Sequence, residues 1–148
     1  MPSDLQAHLG YWLRTVSNAV SQSFARKLEA KSVTVAEWVF LRMLYDVECL
    51  APTLLADRMG MTKGAISKLA DRLVKKNLVT RQANPNGKRG QKLALMPTAR
   101  TLVPQLAKLA DENDAEFFDE LTPMERQHLA QLLRKIVSER ELTTIPTD

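Results

Sequence analysis

Between residues 62 and 95 the hydrophobic period of this chain changes, and that change restricts its possible folds more than any other feature. Thr62 can cap a helix, and Ile66, Leu69, Ala70 and Leu73 then recur at steps of three and four, the spacing of one helical face. Asn77 stands where a left-handed C-terminal cap is wanted, a conformation asparagine tolerates better than most residues. After it come two short β-prone runs, 78–83 and 91–96, with Asn86-Gly87 between them. Asn-Gly between such runs is a strong local signal for a hairpin. Pro97 ends the second run, since proline cannot continue a ladder.

This segment is also where the positive charge lies. From 61 to 92 there are nine cations (Lys63, Lys68, Arg72, Lys75, Lys76, Arg81, Lys88, Arg89 and Lys92) against Asp71, a net of +8 in a chain of net +4. From 108 to 125, seven carboxylates against Lys108 give −6. A concentrated basic face is the electrostatic footprint of a nucleic-acid binder, because a duplex neutralised by it releases counterions. A solvated lysine-rich helix is the plainer reading of the same charges, so the flanking pattern has to decide.

Upstream, 51–59 is a short apolar-periodic segment with Pro52 or Thr53 at its start and Gly60-Met61 turning the chain. Two short helices, a tight turn, a basic second helix and a basic-tipped hairpin make a winged helix-turn-helix. In that arrangement Lys63, Gly64, Ser67, Lys68, Arg72 and Lys75 lie on or beside the face opposite the apolar one. Lysine and arginine can donate to guanine acceptors, serine to a base edge or a phosphate, and Gly64 allows close approach. Thr62 belongs to the same end of the helix, and Thr53 is either a phosphate contact or a simple cap. Lys88 and Arg89, at the hairpin tip, are placed to meet an adjacent minor groove, against the alternative of an exposed charged turn.

Long helices flank this unit. Ser3-Asp4-Leu5-Gln6 has the form of a capping box, and apolar residues recur from Leu5 through Leu9, Trp12, Leu13, Val16, Val20 and Phe24 to Leu28. That stripe spans about 36 Å, more than a core of this size needs to cover. Thr34-Val35-Ala36-Glu37 is a second capping box, opening a helix apolar nearly all round and so expected at the centre of the fold. After Pro97 a helix carrying Leu102, Leu106, Leu109 and Phe117 is expected, and Thr122-Pro123-Met124-Glu125 opens the last one, with Leu129, Leu132, Leu133 and Ile136. Too few apolar residues remain to cover both terminal stripes, so Leu5, Leu9, Trp12, Leu129, Leu132, Leu133 and Ile136 are expected to meet a second copy of the chain.

The motifs resemble those of the multiple-antibiotic-resistance regulator (MarR) family. Leu55-Ala56 and Met59 before Gly60-Met61-Thr62 resemble its first helix and turn, 66–73 its recognition helix, and Leu78-Val79 through Leu95, with Arg89, its wing segment. The resemblance covers nearly the whole chain. It implies a mainly α (α+β) fold over 1–148, with a winged helix-turn-helix lobe at about 30–97 carrying a two-stranded wing, and dimerisation helices at 1–29 and 98–142. It further implies a homodimeric, sequence-specific DNA-binding repressor on a pseudo-palindromic operator, open to release by a small aromatic or anionic effector. Tyr11, Trp12, Trp38, Arg42 and Tyr45 are candidates to line an effector cleft, though aromatic residues at helical spacing more often form plain core. Three positions depart from the family pattern. Asn84 and Gly87 stand where wing carboxylates are usual, and Met96 where a capping threonine is, so Thr98 is expected to take over that cap. The alternative of a protein-binding adaptor on the same scaffold is disfavoured by the +8 window.

Other function classes find little support. The chain shows no nucleophile–base motif, phosphate-binding glycine loop or clustered acid pair, so no enzyme and no cofactor are expected. His8 and His128 stand apart, without metal-ligand spacing, and no metal is expected. The single cysteine, Cys49, has no nearby cation and reads as an inert thiol. It fits a reducing cytoplasm, as do the absence of a signal-like N-terminus and of any long apolar run.

Overall fold

The structure, a computed structural model, describes residues 1–83 and 90–148. Six α-helices and a two-stranded sheet follow one another along the described chain: α1 (Leu9–Glu29), α2 (Val35–Tyr45), α3 (Pro52–Met59), α4 (Lys63–Lys75), β1 (Val79–Ala83), β2 (Gln91–Leu95), α5 (Pro97–Phe118) and α6 (Pro123–Glu139). Among the described residues no helix is long and apolar enough to cross a membrane.

The core gathers around α2, whose Phe40, Leu41 and Leu44 are buried together with Leu28 of α1, Leu55 and Met59 of α3, Ile66 and Leu73 of α4, Leu93 of β2 and Leu106 of α5. The central place expected for α2 follows from its having few polar positions to spare for water. Its capping box forms: Thr34 Oγ1 accepts from the Glu37 N–H and the Glu37 carboxylate from the Thr34 N–H.

Each end of the helix-turn-helix is set by local chemistry. Gly60, at φ +63°, closes α3, and the Met61 N–H reaches back to the Ala56 carbonyl at 3.0 Å. Thr62 caps α4 by accepting from the Ala65 N–H. Asn77 takes φ +60° after α4, while the Asn77 and Leu78 N–H groups donate to the carbonyls of Val74 and Leu73, a Schellman closure. The chain then enters β1, which pairs antiparallel with β2 in the register Val79↔Leu95 to Ala83↔Gln91. Leu50 adds a one-residue bridge to Leu93.

Three sequence-based expectations need correction. Ser3-Asp4-Leu5-Gln6 forms no capping box: Asp4 makes no side-chain cap, residues 5–7 make one 3-10 turn, and His8 is extended before α1 begins. The Gln6 carbonyl instead accepts the Trp12 indole N–H, folding that turn onto α1. Thr53 does not cap α3, because Ala51 holds that position and Pro52 is the first helical residue. Nor does Thr98 cap α5. Met96 is the cap residue, without a side-chain bond, and the Thr98 hydroxyl donates to the Asn77 carbonyl, tying the start of α5 to the end of α4.

Candidate nucleic-acid interface

The surface of α4 is divided cleanly. Ile66, Leu69, Ala70 and Leu73 are buried, whereas Lys63, Gly64, Ser67, Lys68, Asp71, Arg72 and Lys75 are exposed. Residues four apart stack on a helix, so Lys63 and Ser67 form one row and Gly64, Lys68 and Arg72 the next. A side chain at Gly64 would meet nothing within 4 Å, which leaves this end of the row open to a large, flat partner. Thr62 is exposed beside Lys63. Its hydroxyl oxygen serves the cap, and its proton remains available to an outside acceptor. Thr53 is exposed on the first turn of α3. Lys88 and Arg89, with Asn84, Gly87 and the expected hairpin tip, lie outside the described residues.

The structure divides six of the seven described cations of the basic window by role, Lys92 in β2 being the seventh. Among the described residues Lys63, Lys68 and Lys75 have no carboxylate partner. Arg81 in β1 pairs with Asp71 at 2.8 Å, joining the strand to α4 and using up the single acid of the window. Lys76 turns inward, donating to the Ser32 carbonyl at 2.7 Å and to both oxygens of Glu37 at 2.9 and 3.1 Å. Arg72 stands between the two groups: its guanidinium is 3.7 Å from Glu37 yet its side chain is 54% exposed.

Glu37 is fully buried, and sequence reasoning found only half of its role. Burial resists its ionisation. The hydrogen bond from Lys76, that from the Thr34 backbone and the charges of Lys76 and Arg72 overcome the resistance and hold the carboxyl below its ordinary value. It therefore remains an anion at neutral pH and anchors the last turn of α4 to the first turn of α2. The capping-box pattern located the residue, but nothing in the spacing of Glu37 and Lys76 announces their contact.

The other candidates fall into separate groups. Tyr11 and Trp12 stack edge to face near the start of α1, Trp38 meets Phe24, and Tyr45 lies beneath Arg42 and Arg100. Within one protomer these five do not converge on one pocket. Trp38, Phe24, Val20, Val35 and Val39 line a cleft of about 330 Å³ between α1, α2 and α5, which Ile145 and Pro146 of the C-terminal segment also border. Arg100, which sequence reasoning passed over, donates to the carbonyls of Tyr45 and Val47 and fastens α5 to the loop after α2. Leu5, Leu9, Trp12, Leu132, Leu133 and Ile136 are all exposed, Leu9 to 87%, and Leu129 is half-buried. Helix α6 contains no buried residue.

Residues 33–90 match the model of the MarR family. The chain is 28% identical over 130 residues to the multiple antibiotic resistance protein MarR of Escherichia coli, covering 87% of this chain and 90% of that protein. A crystal structure of a mutant E. coli MarR complexed with operator DNA superposes with a TM-score of 0.76 at 28% identity, covering 87% of this chain and 93% of the other. CouR from Rhodococcus jostii, crystallised with p-coumaroyl-CoA, shares the fold at a TM-score of 0.80 and 20% identity, covering 98% of this chain and all of that one.

Proposed function

We propose that this chain belongs to the MarR family, which it resembles in sequence and fold, and that it is a transcriptional regulator that occupies operator DNA as a homodimer. The observation that carries the reading is the face of α4: Lys63, Ser67, Lys68 and Lys75 exposed on a helix whose other side is sealed into the core. A recognition helix needs that division, since one side must be held rigidly while the other enters the major groove. The operator-bound E. coli relative has the same architecture.

The roles assigned to single residues belong to this proposal. Lys63, Ser67 and Lys68 face base edges, with Gly64 leaving room for them. Thr53, Thr62 and Lys75 contact phosphates, Arg72, which the sequence grouped with the base-edge residues, is assigned to a phosphate instead, and Lys88 and Arg89 reach an adjacent minor groove. The whole of 1–148 acts as one unit, in which the lobe at about 30–97 reads DNA and the helices of 1–29 and 98–142 hold two copies together. Two-fold symmetry then sets the recognition helices about one DNA turn apart on a pseudo-palindromic site. We place the protein in the cytoplasm as a repressor without enzymatic activity. The cleft beside Trp38 is where a small aromatic effector would enter; its charged lining residues, Asp114 and Asp148, are both acidic and do not favour the anionic one.

Fluorescence anisotropy with genomic promoter fragments tests the reading. Wild-type protein should bind duplex DNA at about 50 mM salt and weaken steeply as salt rises. Lys68→Ala should lose about 1–3 kcal/mol on its preferred sequence and much less elsewhere, because a base contact is being removed. No duplex affinity at low salt would exclude a DNA-binding role and leave the adaptor reading.

A further inference from the structure

Two cations converge on the buried Glu37 carboxylate, and the geometry makes only one of them indispensable. Lys76 Nζ bonds both Glu37 oxygens and the Ser32 carbonyl, all within 3.1 Å. Arg72, one helical turn earlier, stays 3.7 Å away and half in solvent. We propose that Lys76 is the permanent counter-ion of Glu37 and Arg72 an exchangeable one, so that the Glu37–Lys76 pair leaves the Arg72 guanidinium free to move onto a DNA phosphate. This rests on the reading of α4 as the recognition helix.

A buried carboxylate stripped of every cation is strongly unfavourable. When Arg72 leaves, however, Glu37 keeps Lys76 and the Thr34 N–H at 2.9 Å, and no unpaired buried charge results. Asp71 does not hold Arg72 back either, because its carboxylate is engaged by Arg81 at 2.8 Å. Arg72 shares its row with Lys68 on the exposed side of the helix, so a modest side-chain rotation separates its two partners. Without the Lys76 charge the balance reverses. Arg72 becomes the one cation near Glu37 among the described residues, and the buried carboxylate competes with the phosphate for it. Glu37 and Lys76 are thus positioning residues that act on DNA through Arg72.

The test is the salt dependence of binding to a mixed-sequence duplex, measured by anisotropy between about 50 and 200 mM salt, where each phosphate contact contributes about 0.9 to the log–log slope. Arg72→Ala should lower the slope by about that amount per protomer. Lys76→Gln should lower it equally, although Lys76 touches no DNA, and Lys76→Arg should restore it. The double variant Glu37→Gln/Lys76→Gln should recover the wild-type slope, since nothing buried then draws Arg72 inward. A wild-type slope in Lys76→Gln would overturn the inference, as would a double variant that stays low, the behaviour of a lysine that binds DNA directly. Circular dichroism and melting establish that each variant is folded. If Lys76→Gln is not, Glu37→Gln alone decides: its slope should equal or exceed that of wild type, and a lower one sinks the idea. Failure of the wild-type chain to bind any duplex would overturn the reading of α4 itself, and is seen before any variant is compared.

Discussion

Glu37 joins stability to pH at the level of a single side chain. Its carboxyl is held below the ordinary glutamate value in the folded protein, despite burial, by Lys76, the Thr34 N–H and Arg72. A group depressed in this way stabilises the fold at every pH above its unfolded value. That contribution is lost progressively as pH falls from the ordinary glutamate range through the lower, folded value. Acid should therefore loosen the junction between α2 and α4, protonating a carboxyl whose bonds from Lys76 need the anion. Glu37→Gln should be less stable than wild type at pH 7, with the gap narrowing on acidification. Urea unfolding midpoints at pH 7, 5 and 4 measure this, and a gap constant with pH would exclude Glu37 as the source. From sequence this residue was legible only as half of a capping box. Its neighbours at Lys76 and Arg72 are 39 and 35 positions away, and only the packing of α4 against α2 brings them together.

Several boundaries whose chemistry lies within a few residues were read correctly, while those expected at Ser3, Thr53 and Thr98 were not. The caps at Thr34, Thr62 and Thr122 and the left-handed residues Gly60 and Asn77 all form, because their chemistry is complete within about four positions. The first capping box fails although its residues are just as local: residues 5–7 close a single 3-10 turn with no side-chain cap, and His8 is extended, so the turn does not continue into α1. Leu50 pairs with Leu93 through a single residue on its side, which no periodicity can reveal. The turn of the helix-turn-helix permits a sharp prediction. Gly60 sits at φ +63°, so alanine there should cost about 1–2 kcal/mol through backbone strain. Its new Cβ would also stand 3.1 Å from the Thr144 methyl. That methyl belongs to the end of the chain and can yield, so the loss should be as large in a chain ending at Leu142 as in the full one. Urea denaturation at matched protein concentration compares them, and a penalty that disappears with the tail would assign the cost to the contact instead.

For the molecule as a whole, the question is what covers α1 and α6. Leu9, Trp12, Leu13, Val16, Leu132, Leu133, Ile136 and Val137 are eight large apolar side chains exposed in the single protomer. Covering one such side chain completely yields roughly 1.5–3 kcal/mol, whereas association costs about 4–15 kcal/mol in lost freedom. One or two of them cannot hold a dimer, but eight from each partner can. The winged-helix lobe does not depend on that contact, because Phe40, Leu55, Ile66, Leu73 and Leu93 are already buried within one chain. Helix α6 has no buried residue of its own, so on the proposed reading the partner is what would cover it. Placing aspartates at Leu133 and Ile136 should consequently split the dimer, melt much of α6 and leave the lobe folded. Sedimentation should show one 16.7 kDa chain in place of two, and circular dichroism a partial loss of helix with a cooperative transition remaining. Operator affinity should fall by about 10²–10⁴, the advantage of binding the second half-site from the same particle. Binding to a single half-site should change far less. Gln131→Ala, on the opposite side of α6, should do none of this. If the double aspartate variant sediments as a dimer with α6 intact, these helices are not the interface, and the symmetric placement of the two recognition helices loses its physical basis.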